Sequence, residues 1–205
     1  MKQNEDLRKI ILTTIKEYLN ENLNKPQSKK SNLDSQSWEL VNSDFFINWS
    51  NNWSDVLLDE NNEPAIFYRG ISLWKGEEID WSFNKSFFSR DKSYAQNFAL
   101  NHDDGSFNND LVLAFFLKSK FTMNVEKYLK GLSIDSNRIK TKYKEYQHDI
   151  KDYKKFLSDF NRADIIMGDE NDNGNFSYYV KDNKNVLPIS KLIQIVEKEK
   201  EQLKI

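Results

Sequence analysis

The stretch "AIFYRGI", residues 65–71, places an arginine inside an apolar run that leads to a glycine. Its aromatic and β-branched residues predict a strand, and Pro64 just before it marks a turn. Strands of this composition bury most of their side chains, whereas the guanidinium of Arg69 carries a permanent charge. Arg69 therefore either reaches solvent at a strand end or faces a cleft in which it holds an anion.

The composition limits the class of protein. The 205 residues suffice for one domain with a hydrophobic core, and an aromatic content of 14% favours a packed protein over a disordered one. The net charge of −2 shows no excess of basic residues over the whole chain, which is the feature typical of nucleic-acid-binding proteins. The absence of cysteine excludes disulfides and thiolate metal sites and is compatible with a reducing cytoplasm. The apolar runs of residues 1–19 are short and broken by charges, so they predict neither a signal peptide nor a membrane span.

Hydrophobic spacing predicts an α+β protein with several short strands and inserted helices. We divide the chain into a helix and polar linker over residues 1–37 and a domain over residues 38–205. The predicted elements of the domain are a short helix and strand before Pro64, strands at 65–71, 86–89 and 109–120, a helix at 90–102, a charged helical insertion over about 124–161, a hairpin turning at Asn173-Gly174, and a last strand from Val186 followed by a polar tail.

Metal and triad chemistry finds little support in the sequence. His102, Asp103 and Asp104 supply metal-ligand types, but a polar loop after a helix explains them equally well. Residues 169–174 match the start of a calcium loop, yet the closing carboxylate position is taken by Val180 inside a strand, which rejects that interpretation. No spacing singles out a nucleophile, a base and an orienting residue. We therefore predict no metal.

Three blocks in order resemble ADP-ribosyltransferase-like domains of the phage and mobile-element type. The first, "SDFFINWSNNWSDVLLDENNEPAIFYRGIS" (43–72), has a Trp-containing stretch, an acidic turn and a Pro before a "YRG" strand. The second, "SFFSRDKSYAQNFA" (86–99), has an aromatic-aromatic-Ser strand and a helix. The third, "ADIIMGDENDNGNFSYYVKDNKNVLPISKLIQI" (163–195), resembles the closing hairpin. The resemblance covers roughly residues 44–195 and implies a split, mostly antiparallel sheet, with the strand at 64–71 facing that at 86–89 across a cleft.

The resemblance also implies NAD as the substrate. An Arg on a strand can grip the diphosphate in a bidentate manner, which is the role expected of Arg69. Ser89 on the neighbouring strand is expected to orient Arg69 or the ribose. Phe88 and Tyr94 are expected to wall the nicotinamide, with ordinary core packing as the alternative for Tyr94 and the favoured explanation for Phe87 and Phe98. Tyr68 and Gly70 complete the predicted cofactor-binding set.

The catalytic acid is the least defined part of the predicted site. The family commonly carries a Glu at the start of the second hairpin strand, where this chain has Ser177. The nearest carboxylates are Asp169, Glu170 and Asp172, just before the turn, where acidic residues are also favoured by turn chemistry alone. We predict Glu170 as the acid because its longer side chain can reach a cleft, with Asp169 as the second candidate.

Two functions remain open from the sequence. The first is a mono-ADP-ribosyltransferase, cytoplasmic in the producing cell or in a host cell, that modifies a macromolecular target, with a protein favoured, and acts as a phage or mobile-element effector. The second is a catalytically degenerate module of the same fold that binds a host protein. A carboxylate beside the cleft of Arg69 favours the first, and its absence favours the second. The insertion at 124–161 is either a target-recognition element or a solvated helical pair that covers a sheet edge.

Overall fold

The α+β class predicted from the sequence is confirmed. The computed structural model describes residues 33–74, 77–99, 107–130, 136–169 and 176–202. Residues from Leu33 onward form one compact unit. The helix predicted within residues 1–37, the loop with His102 and the turn at Asn173-Gly174 lie outside the described residues.

Seven strands and six α-helices make up the described part of the chain. The strands are β1 (Ile66–Trp74), β2 (Ser86–Ser89), β3 (Phe107–Leu117), β4 (Thr122–Asn124), β5 (Ile165–Asp169), β6 (Phe176–Val180) and β7 (Val186–Pro188). The helices are α1 (Ser35–Val41), α2 (Asp44–Trp49), α3 (Lys92–Ala99), α4 (Ser136–Lys142), α5 (Tyr153–Arg162) and α6 (Ile189–Gln202). Short 3-10 turns occupy Val125–Tyr128 and Asn183–Asn185.

All seven strands join one mixed sheet in the order β4-β5-β6-β2-β1-β3-β7. Only the β4–β5 pair of this sheet is parallel. β1 pairs with β3 from Ile66 to Trp74, but it pairs with β2 only where Tyr68 lies opposite Ser89. A helical bundle and a doubly wound parallel sheet are thereby excluded, while the specific ADP-ribosyltransferase-like arrangement stays a prediction.

Aromatic rings hold the two sides of the β1–β2 junction together. Phe67 of β1 meets Tyr178 of β6 edge to face at 4.8 Å between ring centroids, and Phe88 of β2 meets Phe115 of β3 at 5.0 Å. Each of these four side chains is less than a tenth exposed. The sheet is therefore continuous through packing at the point where its hydrogen-bond ladder is shortest.

Two predictions at the ends of the domain are wrong. Helix α1 begins at Ser35, inside the segment predicted as linker, and Asp34 caps it by accepting a hydrogen bond from the Ser37 amide at 2.7 Å. The last strand predicted from Val186 ends at Pro188 as β7, and the rest of the predicted strand and polar tail is helix α6, which buries Leu192 and Val196 one turn apart. Packing of this apolar stripe against β3, α1 and α2 outweighs the strand preference of its isoleucines.

The strand predicted before Pro64 is also wrong, since only the isolated bridges Val56–Lys118 and Leu58–Pro64 form there. Asn51, Asn52 and Trp53 have left-handed backbones, with φ of 54°, 53° and 67°. These residues turn the chain sharply after α2, and the Trp53 indole donates to the Val41 carbonyl at 3.0 Å.

The predicted helical insertion contains two helices, α4 and α5, joined by turns. Its apolar side chains pack on the sheet, where Ile139 and Phe156 join Ile166 of β5 and Tyr179 of β6 in one buried cluster. The Tyr128 hydroxyl donates a hydrogen bond to Asp159, which Arg162 also contacts at 3.2 Å. The insertion is therefore a packed layer of the domain as well as a charged surface.

Helix α3 lies directly on β1 because both carry small residues at the contact. A Cβ on Gly70 would overlap the carbonyl oxygen of Ala95 and stand 2.9 Å from the Ala99 nitrogen. The Ser72 hydroxyl donates to the Ala99 carbonyl at 2.7 Å and fixes the end of the helix. Gly70 therefore sets the separation between helix and strand.

Gly70→Ala is expected to destabilise the fold, because the new methyl group meets backbone atoms that cannot rotate away. We expect a loss of about 1–3 kcal/mol, the range for overpacking, in denaturant unfolding. Ser72→Ala, which removes a polar contact of the same helix without adding volume, is the control. Unchanged stability in Gly70→Ala would mean that α3 moves off β1 without cost.

Tyr128→Phe is expected to change how stability depends on alkaline pH. The hydrogen bond to Asp159 raises the pKa of Tyr128 from 10.0 to about 12. Its contribution to the free energy of unfolding is complete below pH 10 and is lost as the pH rises through about 12. Urea unfolding between pH 8 and 12 should therefore show a shallower decline in Tyr128→Phe than in the parent. Tyr153→Phe, which removes a hydroxyl from a ring packed on the same Phe156, should decline like the parent.

Candidate functional site

A pocket of about 460 Å³ opens between β1, β2 and α3. This volume lies within the usual range for small-molecule sites. The residues that line the pocket come from these three elements and are mostly aromatic or small: Tyr68, Arg69, Gly70, Phe87, Phe88, Ser89, Tyr94, Ala95 and Phe98.

The pocket exists because β1 and β2 separate beyond their single paired position. An antiparallel ladder continued from Tyr68 and Ser89 would place Arg69 and Gly70 beside Phe88 and Phe87. Those pairs are not formed, and the Arg69 Nη1 donates instead to the Phe87 carbonyl at 2.9 Å. A side chain thus bridges the gap that the two backbones leave open.

Arg69 brings a half-buried positive charge into this gap. Its guanidinium lies 5.9 Å from the centroid of the Phe88 ring. No carboxylate of the described residues forms an ion pair with it, and the Phe87 carbonyl accepts from only one of its nitrogens. Burial lowers the pKa of Arg69 from its ordinary value because desolvation disfavours the charged form, yet a guanidinium stays protonated in proteins. The site therefore presents a cation with unused donors.

Ser89 lies at the other side of the gap and is buried. Its Oγ accepts a hydrogen bond from the Asp91 amide at 3.0 Å. Asp91 in turn caps α3 by accepting from the amides of Ser93 and Tyr94 at 2.8 and 3.1 Å. This chain of bonds fixes the start of α3 and leaves the Ser89 hydroxyl proton to be donated.

The aromatic side chains of the pocket wall include Phe98, which the sequence analysis had placed in the core. Tyr94 and Phe98, four residues apart on α3, meet edge to face at 5.1 Å. Phe98 was predicted to pack in the core, but it is 56% exposed and lines the pocket, so this prediction is wrong. Phe87, also predicted as core, is half-buried, packs against the insertion cluster and lines the pocket. The signal was present in the helix, since Ala95 and Ala99 mark the face that approaches β1 and leave the aromatics beside it.

All six residues predicted to bind a cofactor line this one pocket, namely Tyr68, Arg69, Gly70, Phe88, Ser89 and Tyr94. What they bind is a separate question that their proximity does not answer. Glu170 lies outside the described residues, and for Asp169 the structure describes only the backbone, which pairs with Phe176 at the end of β5. The predicted acid therefore stays a prediction.

A buried lysine that the sequence analysis did not single out lies behind the pocket. Lys140 of α4 is 1% exposed, and its ammonium donates to the Ser177 hydroxyl and, at 3.3 Å, to the Ser177 carbonyl. Ser177 lies directly opposite Ser89 in the sheet. A lysine in a charged helical segment carries no sequence signal for burial, so only the structure could identify it.

Two broader searches bear on the class of protein. The described residues contain no group of three His, Cys, Asp or Glu side chains placed to hold a metal ion. Within the same residues, every helix is too short or too polar to cross a membrane. Comparison with known proteins finds no match to any family model, curated protein or solved structure.

Proposed function

We propose that the pocket binds NAD and that the protein is a mono-ADP-ribosyltransferase acting on a macromolecular target. The observation that carries the proposal is the guanidinium of Arg69, which has no carboxylate partner among the described residues and lies in an aromatic-lined pocket. A half-buried cation costs desolvation energy that a bound anion would offset. The diphosphate of NAD offers two negative charges and oxygens that match the fork of an Arg side chain.

The remaining pocket residues fit the other parts of the ligand. Nicotinamide is flat, and Tyr94 and Phe98 offer rings that stack at little entropic cost. Ser89 has a hydroxyl proton to donate to a ribose or phosphate oxygen. The resemblance of "YRG" and "FFS" to ADP-ribosyltransferase-like blocks assigns the same ligand to the same residues.

Transfer itself needs a carboxylate. Nicotinamide leaves from the ribose through an oxocarbenium-like state, and negative charge nearby stabilises the developing positive charge. We assign this role to Glu170, with Asp169 as the second candidate. The acceptor is a macromolecule, with a protein favoured, and the proposed setting is a phage or mobile-element effector in the cytoplasm of the producing cell or of a host.

A degenerate binding module is the second candidate function, and one observation favours it. The position that the resemblance assigns to a Glu holds Ser177, and the Lys140 ammonium contacts it. Without a carboxylate at that position, positive charge on the ribose would lack the stabilisation that the resemblance implies. The pocket would then hold an anion without cleaving it, and the protein would act through a host partner.

One experiment separates the two functions. The purified protein is incubated with NAD labelled on the adenylate and with a cell lysate, while calorimetry measures NAD binding. Label transferred to a macromolecule supports the transferase. Binding without transfer supports the degenerate module, and an absence of NAD binding contradicts the proposed ligand for both.

Arg69→Ala is expected to weaken NAD binding by about 1.5–3 kcal/mol, the range for a charge-assisted hydrogen bond. Folding should be little affected, because the side chain makes one hydrogen bond to the described residues and the desolvation of its charge opposes that gain. Arg90→Ala is the matched control, since Arg90 is exposed and pairs with Glu60 at 3.0 Å. Unchanged NAD affinity together with lost stability in Arg69→Ala would make Arg69 a structural residue.

Glu170→Gln is expected to lower turnover while NAD affinity stays nearly intact, because the carboxylate acts only as positive charge builds on the ribose. Asp169→Asn, the neighbouring change of the same kind, should retain activity, since adjacent residues of a regular strand point to opposite faces. Label transfer under saturating NAD measures the effect. A large loss in Asp169→Asn alone would move the acid to Asp169, and full activity in both variants would remove both from the mechanism.

A further inference from the structure

We propose that the insertion supplies a positioning residue to the pocket, Lys140, whose buried ammonium holds Ser177 in place opposite Ser89. This inference rests on the proposed function for its kinetic readout, but its structural readout does not. It assigns a role to the insertion that differs from target recognition.

The sheet register connects Lys140 to the pocket. Gly168, Ser177, Ser89 and Tyr68 are successive partners across β5, β6, β2 and β1. Directly paired residues project from the same face of a sheet, with Cβ atoms about 4.5–5.5 Å apart. The row therefore leads from Gly168 to two residues that line the pocket, Ser89 and Tyr68.

Lys140 acts at the far end of this row. Its ammonium donates to the Ser177 hydroxyl, lies 3.3 Å from the Ser177 carbonyl oxygen and 3.5 Å from the Gly168 carbonyl oxygen. It also lies 5.8 Å from the centroid of the Phe87 ring, which lines the pocket. Lys140 thus contacts Gly168 and Ser177, which precede Ser89 in the row. It also lies beside the ring of Phe87, two residues before Ser89 in the chain.

A buried ammonium is not a requirement of the fold. Removing a lysine from water carries a desolvation penalty, and a methionine would avoid it. A methionine would also leave the buried Ser177 without its donor, so some loss of global stability is expected. What a methionine cannot supply is a directional donor to Ser177, so the placement of Ser89 should suffer beyond that global loss.

The test compares Lys140→Met with Lys142→Met, an exposed lysine of the same helix. We expect Lys140→Met to unfold at a lower denaturant concentration than Lys142→Met, because the buried Ser177 loses its donor. Amide hydrogen exchange within Ser86–Ser89 and Phe176–Val180 should be faster in Lys140→Met by more than this loss of global stability accounts for. Label transfer at saturating NAD should fall about tenfold to a hundredfold in Lys140→Met, with NAD affinity within about twofold of the parent, because misplacement of a reacting group lowers turnover more than binding.

The two proposals fail in different ways. If the parent neither binds NAD nor transfers label, the proposed function fails, and hydrogen exchange alone then decides the role of Lys140. Equal exchange in the two lysine variants overturns the positioning role, as does faster exchange that the loss of global stability fully explains or that leaves turnover unchanged in an active enzyme. A rise in turnover also overturns it, since the ammonium would then act only by repelling positive charge on the ribose. Should Lys140→Met not fold, Ser177→Ala against Ser177→Thr carries the test, because only threonine keeps the acceptor.

Discussion

The single pairing of Tyr68 with Ser89 is the constraint on which the rest of the structure depends. It joins β1, β3 and β7 to the four strands on the other side of the sheet. One backbone pair contributes only about 1 kcal/mol per hydrogen bond, far too little to hold two halves of a domain together. The rings of Phe67, Phe88, Phe115 and Tyr178 supply the remainder by packing across the junction on one face. Because cohesion comes from packing, the ladder is free to open at its edge, and the pocket forms there.

Arg69 contributes to folding at this junction, but burying its charge costs desolvation energy that its contacts in the fold only partly offset. One nitrogen of the Arg69 guanidinium donates to the Phe87 carbonyl and thereby bridges the gap between β1 and β2. The rest of its charge has no partner among the described carboxylates and lies over an aromatic ring instead. Lys140 is a second buried cation, which lies behind the pocket and bonds to Ser177. At the wall of the pocket itself, the Arg69 guanidinium makes the interior favourable to an anion before any ligand is considered.

The sequence predicted those parts of the structure that local patterns encode. The strand around Arg69, the strand ending at Ser89 and the helix after it were readable from β-branched and aromatic runs and from helical spacing. Helix α6 was missed because its isoleucines favour a strand locally, and its helical stripe has meaning only against β3, α1 and α2. The burial of Lys140 depends on how α4 packs on β5 and β6, where its ammonium meets Gly168 and Ser177. That is a long-range fact that no window of sequence contains.

Under the proposed function, charge balance would decide what the pocket could do with NAD. Positive groups near the diphosphate favour a bound ground state, but positive charge near the ribose opposes an oxocarbenium-like state. At a separation of about 8 Å and an effective dielectric constant of about 20, two unit charges of the same sign repel by about 2 kcal/mol. Ser177 is buried and carries no charge, so it would not offset such a repulsion. A carboxylate closer to the ribose than the nearest cation would outweigh it, which is why the proposed transferase needs a separate acid beside the neutral Ser177.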